Sequence, residues 1–112
     1  MTCLFCDIVA NKIPADIVYE DADVLAFRDI SPQAPEHILV IPKTHYDSVL
    51  SLSEAAPDAV VAIHRAILNV QAMLHLDSGF RVVTNVGKDG GQTVNHVHYH
   101  ILGGRQLSWP PG

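Results

Sequence analysis

Three histidines occupy alternate positions in one run of seven residues, His96-Val97-His98-Tyr99-His100-Ile101-Leu102. In an extended strand, side chains at i, i+2 and i+4 share a face. His96, His98 and His100 therefore point one way, while Val97, Tyr99 and Ile101 point the other way, into a core. A rise of about 3.3 Å per residue separates the outer two Cβ atoms by about 13 Å. Zinc holds imidazole nitrogens at about 2.0–2.1 Å. Two neighbours can converge on one ion, but all three cannot unless the strand bends sharply. The three must then have at least two different jobs. The ordinary alternative, a polar and solvated sheet face, fits poorly with strict alternation around filled apolar positions.

The chemistry open to such a face is specific. Neutral imidazole is a nucleophile towards phosphorus near neutral pH, and a covalent intermediate divides one hard displacement into two easier ones. Flanking imidazoles can donate hydrogen bonds to phosphoryl oxygens. Directly upstream lies the loop Gly87-Lys88-Asp89-Gly90-Gly91-Gln92-Thr93, whose backbone N–H groups could cradle an anion. Glycines alone would indicate an ordinary hairpin loop; their place just before the histidines raises the anion reading. A second set of reactive groups, Cys3 and Cys6, stands near the N-terminus with Cys-x-x-Cys spacing. The pair is a metal half-site, a redox pair, or two unremarkable thiols. Redox ranks last, because almost nothing precedes Cys3, whereas a thioredoxin-type pair follows a strand. A metal half-site requires two ligands from elsewhere.

Composition bounds the rest. The 112 residues, 48% hydrophobic, suit one domain, 1–112, with a genuine core. A net charge of −5 argues against a nucleic-acid partner, because phosphate backbones demand a basic face. A small phosphate ligand remains open, since one local site suffices. No apolar run approaches the ~20 residues of a membrane span, and the N-terminal stretch lacks the pattern of a signal peptide. A cytoplasmic protein with no membrane association and no organic cofactor is expected.

The elements that must position these residues read as follows. Leu4, Phe5, Ile8 and Val9 have helical spacing, ended by Pro14. Residues 16–30 read as two short strands around a turn at Glu20 to Asp23. His37 to Pro42 reads as a buried strand. From Ser53 to about Leu76, Val60, Ile63, Ile67, Val70 and Leu74 form one apolar stripe, with Ser51 or Ser53 as cap and Pro57 in the first turn. Phe80 to Val86 and the histidine run are two further strands joined by the glycine loop. The expected class is α+β, an antiparallel sheet with helices on one side. His64 and His75, on the long helix, read as surface residues.

The histidine run resembles the histidine-triad (HIT) signature, in which three histidines alternate with apolar residues. The stretches CDIVANKIP, VYEDADVLAFRDISPQAPEHILVIPK and NVGKDGGQTVNHVHYHILGGRQLSWPPG look like the Hint branch of that superfamily, the purine nucleoside phosphoramidases. The likeness covers nearly the whole chain, and the terminal GGRQLSWPPG points to Hint over other branches. It implies a five-stranded antiparallel sheet with a short N-terminal helix and one long helix, paired across a two-fold axis into a homodimer. It also implies binding of purine nucleoside monophosphate derivatives and hydrolysis of a P–N bond through a nucleotidyl-histidine, giving AMP and an amine.

Carried onto this chain, the resemblance implies His98 as nucleophile, with His100 and His37 as partners on the phosphate side. Asn85, Gly91, Gln92 and Thr93 match the phosphate cradle, and Thr93 the group that passes a proton. Asp29 matches the acid that grips the ribose hydroxyls; alone it would read as a turn residue. Phe5, Ile8, Phe27 and Ile30 match the walls of the nucleoside pocket, although sequence alone would place them in the core. The cysteines also gain partners: relatives with this Cys-x-x-Cys hold zinc, and Cys3, Cys6, His45 and His96 match their ligands. Such a Cys₂His₂ set is a closed structural site. Two positions depart from the pattern. Thr93 stands where Hint proteins have Ser, keeping the hydroxyl on a stiffer side chain, and Asn95 replaces an aromatic residue.

Rival readings are a dinucleoside polyphosphate hydrolase, a nucleotide-binding or interaction module with incidental catalysis, and a zinc hydrolase acting through a metal-bound water. Cleaving a polyphosphate means holding several negative charges on the leaving side. Lysine and arginine number seven, with only Lys88 in the loop. That balance favours a P–N substrate with an amine leaving group.

Overall fold

The computed structural model describes residues 2–112. Its elements are α1 (Leu4–Val9), β1 (Ile17–Glu20), β2 (Val24–Arg28), β3 (Glu36–Pro42), α2 (Val49–Ala55), α3 (Pro57–Met73), β4 (Phe80–Val83), α4 (Gly87–Gly90) and β5 (Tyr99–Gly103). The strands form one antiparallel sheet in the order β1-β2-β3-β5-β4. The five-stranded α+β architecture matches the expected HIT fold. No helix among the described residues is long and apolar enough to cross a membrane.

Strand β3 lies at the centre, and its uninterrupted apolar run is explained by burial on both faces. On one face, Val24, Ala26, Ile38, Val40, Tyr99 and Ile101 pack against Ile63, Ala66, Ile67 and Val70 of α3. On the other, Leu25, Phe27, Leu39 and Ile41 pack against Phe5 and Ile8 of α1. Helices therefore cover both faces, not one as expected. α1 has only six residues, too few for its apolar pattern to reveal which face it seals.

Three element boundaries also differ; β4 stops at Val83, three residues short of the expected Val86. The expected helix from Ser53 to Leu76 is two helices broken at Ala56, whose φ and ψ of −145° and 66° are not helical. A proline disfavours the α conformation in the residue before it, so Pro57 ends α2 and opens α3. The cap of α2 is Ser48, which forms a reciprocal box with Ser51. α3 starts without a side-chain cap. The histidine run is paired only from Tyr99 onward, opposite Val40. Beyond that point β3 runs out at Pro42, which has no N–H for a ladder. His96 and His98 thus lie in an unpaired bend. They still share the α1 face with His100: the Phe5 ring lies 5.9 Å from His96 and 5.1 Å from His98, and His98 lies 5.0 Å from His100.

Candidate active site and metal centre

The bend sends His96 and His98 to different tasks. His96 is fully buried, and its Nε2–H donates to the Pro42 carbonyl at 2.9 Å. That bond leaves Nδ1 unprotonated, 3.4 Å from Cys3 Sγ and 3.5 Å from Cys6 Sγ. His45 is oriented the same way: Nε2–H donates to Asp47 Oδ1 at 2.9 Å, and Nδ1 lies 3.4 Å from Cys6 Sγ. Zn–S bonds of about 2.3 Å and Zn–N bonds of about 2.0–2.1 Å give tetrahedral S···N edges of about 3.5 Å. The three sulfur–nitrogen separations match that edge. All four ligand atoms lie within 4.8 Å of one another. Cys3, Cys6, His45 and His96 therefore fit a tetrahedral zinc ion and would hold it through two thiolates and two Nδ1 atoms. The Pro42 carbonyl and the Asp47 carboxylate fix the ring orientations from outside. Burial pushes the pKa of His96 down, keeping it neutral. Burial, and then Cys3 beside it, push the Cys6 thiol up to about 11, so its thiolate is poor company for Cys3 until a cation joins them. Cys3 Sγ also accepts the Cys6 N–H, capping α1.

The remaining histidines form a second group. His98 donates Nδ1–H to the carbonyl of His96 at 2.8 Å, which leaves Nε2 as the ring's lone pair. The Gln33 N–H donates to His37 Nδ1 at 3.0 Å, so the His37 proton sits on Nε2. That Nε2–H faces His100 Nδ1 at 2.9 Å and Asp29 Oδ2 at 3.5 Å. Nδ1 of His100 is therefore the acceptor, and Nε2 carries its proton. These tautomers follow from hydrogen-bond partners. Burial, then His98 and His37, push the pKa of His100 down to about 4, and burial lowers that of His37. His37 and His100 are therefore neutral near pH 7, and the hydrogen bonds leave Nε2 of His98 and Nε2–H of His100 unengaged. Asp29, His37 and His100 also lie close enough to surround an ion. The Gln33 N–H opposes it by keeping a proton on His37 Nε2.

A cleft of about 630 Å³ opens on this side of the sheet, with Phe5, Ile8, Phe27 and Leu39 among its apolar walls and Asp29 and Thr93 among its polar ones. Phe5, Ile8 and Phe27 are at once core residues and cleft wall. Ile30 is no core residue: it stands wholly exposed at the rim. Asp29 is indeed a turn residue, accepting the Ser31 N–H on Oδ1, but its second oxygen faces His37.

The glycine loop is more closed than the sequence implies. Residues 87–90 form one helical turn, and Gly91 follows at φ +83°, a left-handed conformation that favours glycine. The N–H groups of Gly91 and Gln92 point back to the Lys88 and Gly87 carbonyls. The Gln92 side chain is likewise engaged: Oε1 accepts the Gly87 N–H, and Nε2 donates to the carbonyls of Asp47 and Val94. Of the expected cradle, Thr93 reaches the cleft, Asn85 lies against Gly90, and Gln92 is occupied in shaping the loop. Asp47 and Gln33, which orient His45 and His37, were not expected. The His-x-Asp spacing of His45 and Asp47 was a usable signal; nothing in the sequence points from Gln33 to His37.

A sheet in this order, with alternate histidines divided between a metal cluster and an anchored pair, defines a histidine-triad fold. The chain belongs to the HIT family, whose domain matches residues 10–107. It is 45% identical to a 14 kDa zinc-binding protein of Brassica juncea, over 97% of this chain and 98% of the relative. It is 44% identical to adenylylsulfatase HINT1 of Arabidopsis thaliana, over 97% of this chain and 76% of the relative. The structure superposes on a HIT family hydrolase from Clostridium thermocellum with a TM-score of 0.92, at 42% identity, covering 96% and 94% of the two chains.

Proposed function

We propose that this HIT protein hydrolyses the P–N bond of purine nucleoside 5′-phosphoramidates, with His98 as nucleophile. The observation that carries this is the bond from His98 Nδ1–H to the His96 carbonyl. It commits the ring to one tautomer, so Nε2 keeps its lone pair, and the ring lies 5.1 Å from Phe5, a wall residue of the apolar cleft of about 630 Å³. In the first step His98 Nε2 bonds to phosphorus and the P–N bond breaks. The departing nitrogen keeps the bonding pair and takes a proton, which a solvent water supplies through the Thr93 hydroxyl at the cleft wall. The carbonyl of His96 supports the positive charge that develops on the ring. His100 donates Nε2–H to a phosphoryl oxygen, and His37, held by Gln33, orients His100 from behind. In the second step water attacks phosphorus and returns a proton to solvent by the same hydroxyl, Nε2 recovers its pair as the P–N(imidazole) bond breaks, and the nucleoside monophosphate leaves. Asp29 holds the ribose hydroxyls, and Phe5, Ile8, Phe27 and Ile30 enclose the base. Asn85, Gly91 and Gln92 shape the phosphate end. A zinc ion held by Cys3, Cys6, His45 and His96 would supply a cross-link between α1 and the bend.

The working unit is a homodimer in this proposal, joined at the exposed edge of β4. Phe80 and Val82 stand exposed on that strand, and an exposed edge invites pairing. The C-terminal tail lies along it: Arg81 donates to the Ser108 carbonyl, and its guanidinium sits 5.9 Å over the Trp109 ring. Trp109 is 80% exposed in one chain, as a residue would be that packs on a partner near its site. A cytoplasmic location, where thiols stay reduced, suits the Cys₂His₂ set.

The test compares adenosine phosphoramidates of a primary amine with diadenosine polyphosphates. kcat/KM is expected to favour the phosphoramidate by more than ~100-fold, about 2.7 kcal/mol of transition-state preference. Equal efficiency moves the chain to polyphosphate hydrolysis. Binding of AMP without turnover of either substrate makes it a nucleotide-binding module.

A further inference from the structure

The metal cluster and the phosphate loop are joined by a short bridge. His45 is held by the Asp47 carboxylate at 2.9 Å. The carbonyl of the same Asp47 accepts the Gln92 Nε2–H at 2.6 Å. Gln92 in turn pins both ends of the loop, through the Gly87 N–H and the Val94 carbonyl, and is followed directly by Thr93. Between these anchors Val97 donates its N–H to the Tyr46 carbonyl at 2.7 Å. Residues 45–47 are thus laced to the run that carries the loop and the triad, with ligands His45 and His96 at one end and Gln92 at the other. Segment 43–48 belongs to no strand; Lys43 is tied to Asp23 and Glu20, Tyr46 packs on the core and Ser48 caps α2, while the side chains of His45 and Asp47 are held by the cross-links just described.

We propose that Asp47 and Gln92 are positioning residues that carry the occupancy of the metal site to the phosphate loop, so that zinc and nucleotide phosphate bind cooperatively. With the four ligands drawn together, His45 is fixed and Asp47 is fixed through it. The carbonyl of Asp47 then holds Gln92, and Gln92 holds the loop in the shape that places Thr93 on the cleft. With the ligands released, residues 45–47 lose one of their anchors and Gln92 loses a partner of fixed position. Coupling of this kind is reciprocal: whatever factor zinc contributes to nucleotide affinity, nucleotide contributes to zinc affinity.

On the phosphoryl-transfer reading above, AMP is the probe. Its affinity is measured calorimetrically with zinc-loaded and chelator-treated protein, and zinc affinity by competition with a chromophoric chelator, with and without AMP. Wild type is expected to bind AMP about tenfold more weakly without zinc, and to bind zinc about tenfold more tightly with AMP. In Gln92→Ala both factors should fall below about twofold, although AMP affinity of the loaded protein is itself reduced. A second cycle avoids metal-free protein. Asp47→Ala, measured with zinc bound, should weaken AMP several-fold in the wild-type background and not further in Gln92→Ala. Equal zinc dependence in wild type and Gln92→Ala, or additive losses in the double variant, would overturn the coupling while leaving AMP binding in place. Zinc-loaded wild type that binds no AMP would overturn the nucleotide assignment, and the coupling with it.

Discussion

The Cys₂His₂ cluster and the group of His37, His98 and His100 meet at one bend, yet they use their imidazoles in opposite senses. In the cluster, His45 and His96 give their Nε2–H groups to the Asp47 carboxylate and the Pro42 carbonyl, and turn both Nδ1 lone pairs inward on the two sulfurs. In the second group, proposed above as catalytic, His98 spends Nδ1–H on a carbonyl and His100 spends Nδ1 on His37, which leaves Nε2 of each ring unengaged. One arrangement closes on an ion, and the other keeps a lone pair and an N–H for a substrate. Histidine itself does not decide between these uses. The partner on the far nitrogen does.

Breaking the catalytic side should have the largest kinetic effect and a small structural one. His98→Ala is expected to reduce turnover of an adenosine phosphoramidate by ~10⁴-fold or more, while the far-ultraviolet circular dichroism stays that of the wild type. A variant that still acquires a nucleotidyl group at normal rate would show that another residue attacks phosphorus.

The metal side should respond in reverse. Cys3→Ser removes a ligand and the cap of α1 together. It is expected to lose zinc by elemental analysis and about 2–4 kcal/mol of stability, roughly 10 °C in Tm for a chain of this size. Turnover should survive in part, because no reacting atom touches the cluster. Protein purified free of zinc at full wild-type stability would end the structural-metal assignment.

The two groups also differ in acid. The pKa of His100 lies at about 4 in the fold, against 6.5 unperturbed, so the unfolded chain binds the proton first. Its contribution to stability is complete above about pH 6.5 and is lost as the pH falls through about 4. Tm of wild type should therefore drop over that window more steeply than Tm of His100→Asn. Parallel curves would mean that His100 is not held neutral by its surroundings.

The smallest effect should come from Thr93→Ala. A proton relay matters when an amine departs and is unneeded when the leaving group is already a stable anion. The variant is expected to slow phosphoramidate cleavage about tenfold and cleavage of an AMP p-nitrophenyl ester, used as a probe, by less than twofold, with AMP affinity nearly unchanged. Equal slowing of both substrates would assign the hydroxyl to phosphate binding instead.

Much of this was legible in one dimension. The alternation of Tyr99 and Ile101 with His100 appears as the two faces of β5, and the apolar run of β3 appears as a strand buried on both sides. Period-2 patterning is a local property, so it survives without knowledge of neighbours. The spacing rule that one ion could not gather three histidines along a strand was also local, and the division of His96 from His100 follows it. Other features depended on distant segments. Which sheet face α1 covers, where pairing of the histidine run begins, and whether Gln92 faces a ligand or the Asp47 carbonyl are contacts made across roughly 40 to 90 residues of chain.

Residue types and their order thus determined that three alternating imidazoles, a glycine-rich loop before them and a Cys-x-x-Cys pair were present, since each is a property of side-chain chemistry and near spacing. Three-dimensional structure decided which nitrogen of each ring is free. Part of that choice is long-range: the Pro42 carbonyl meets His96 and the His37 ring meets His100 only when the sheet closes. The rest comes from near neighbours, the His96 carbonyl for His98, the Asp47 carboxylate for His45 and the Gln33 N–H for His37, whose bonds depend on the turn and bend conformations the backbone adopts there.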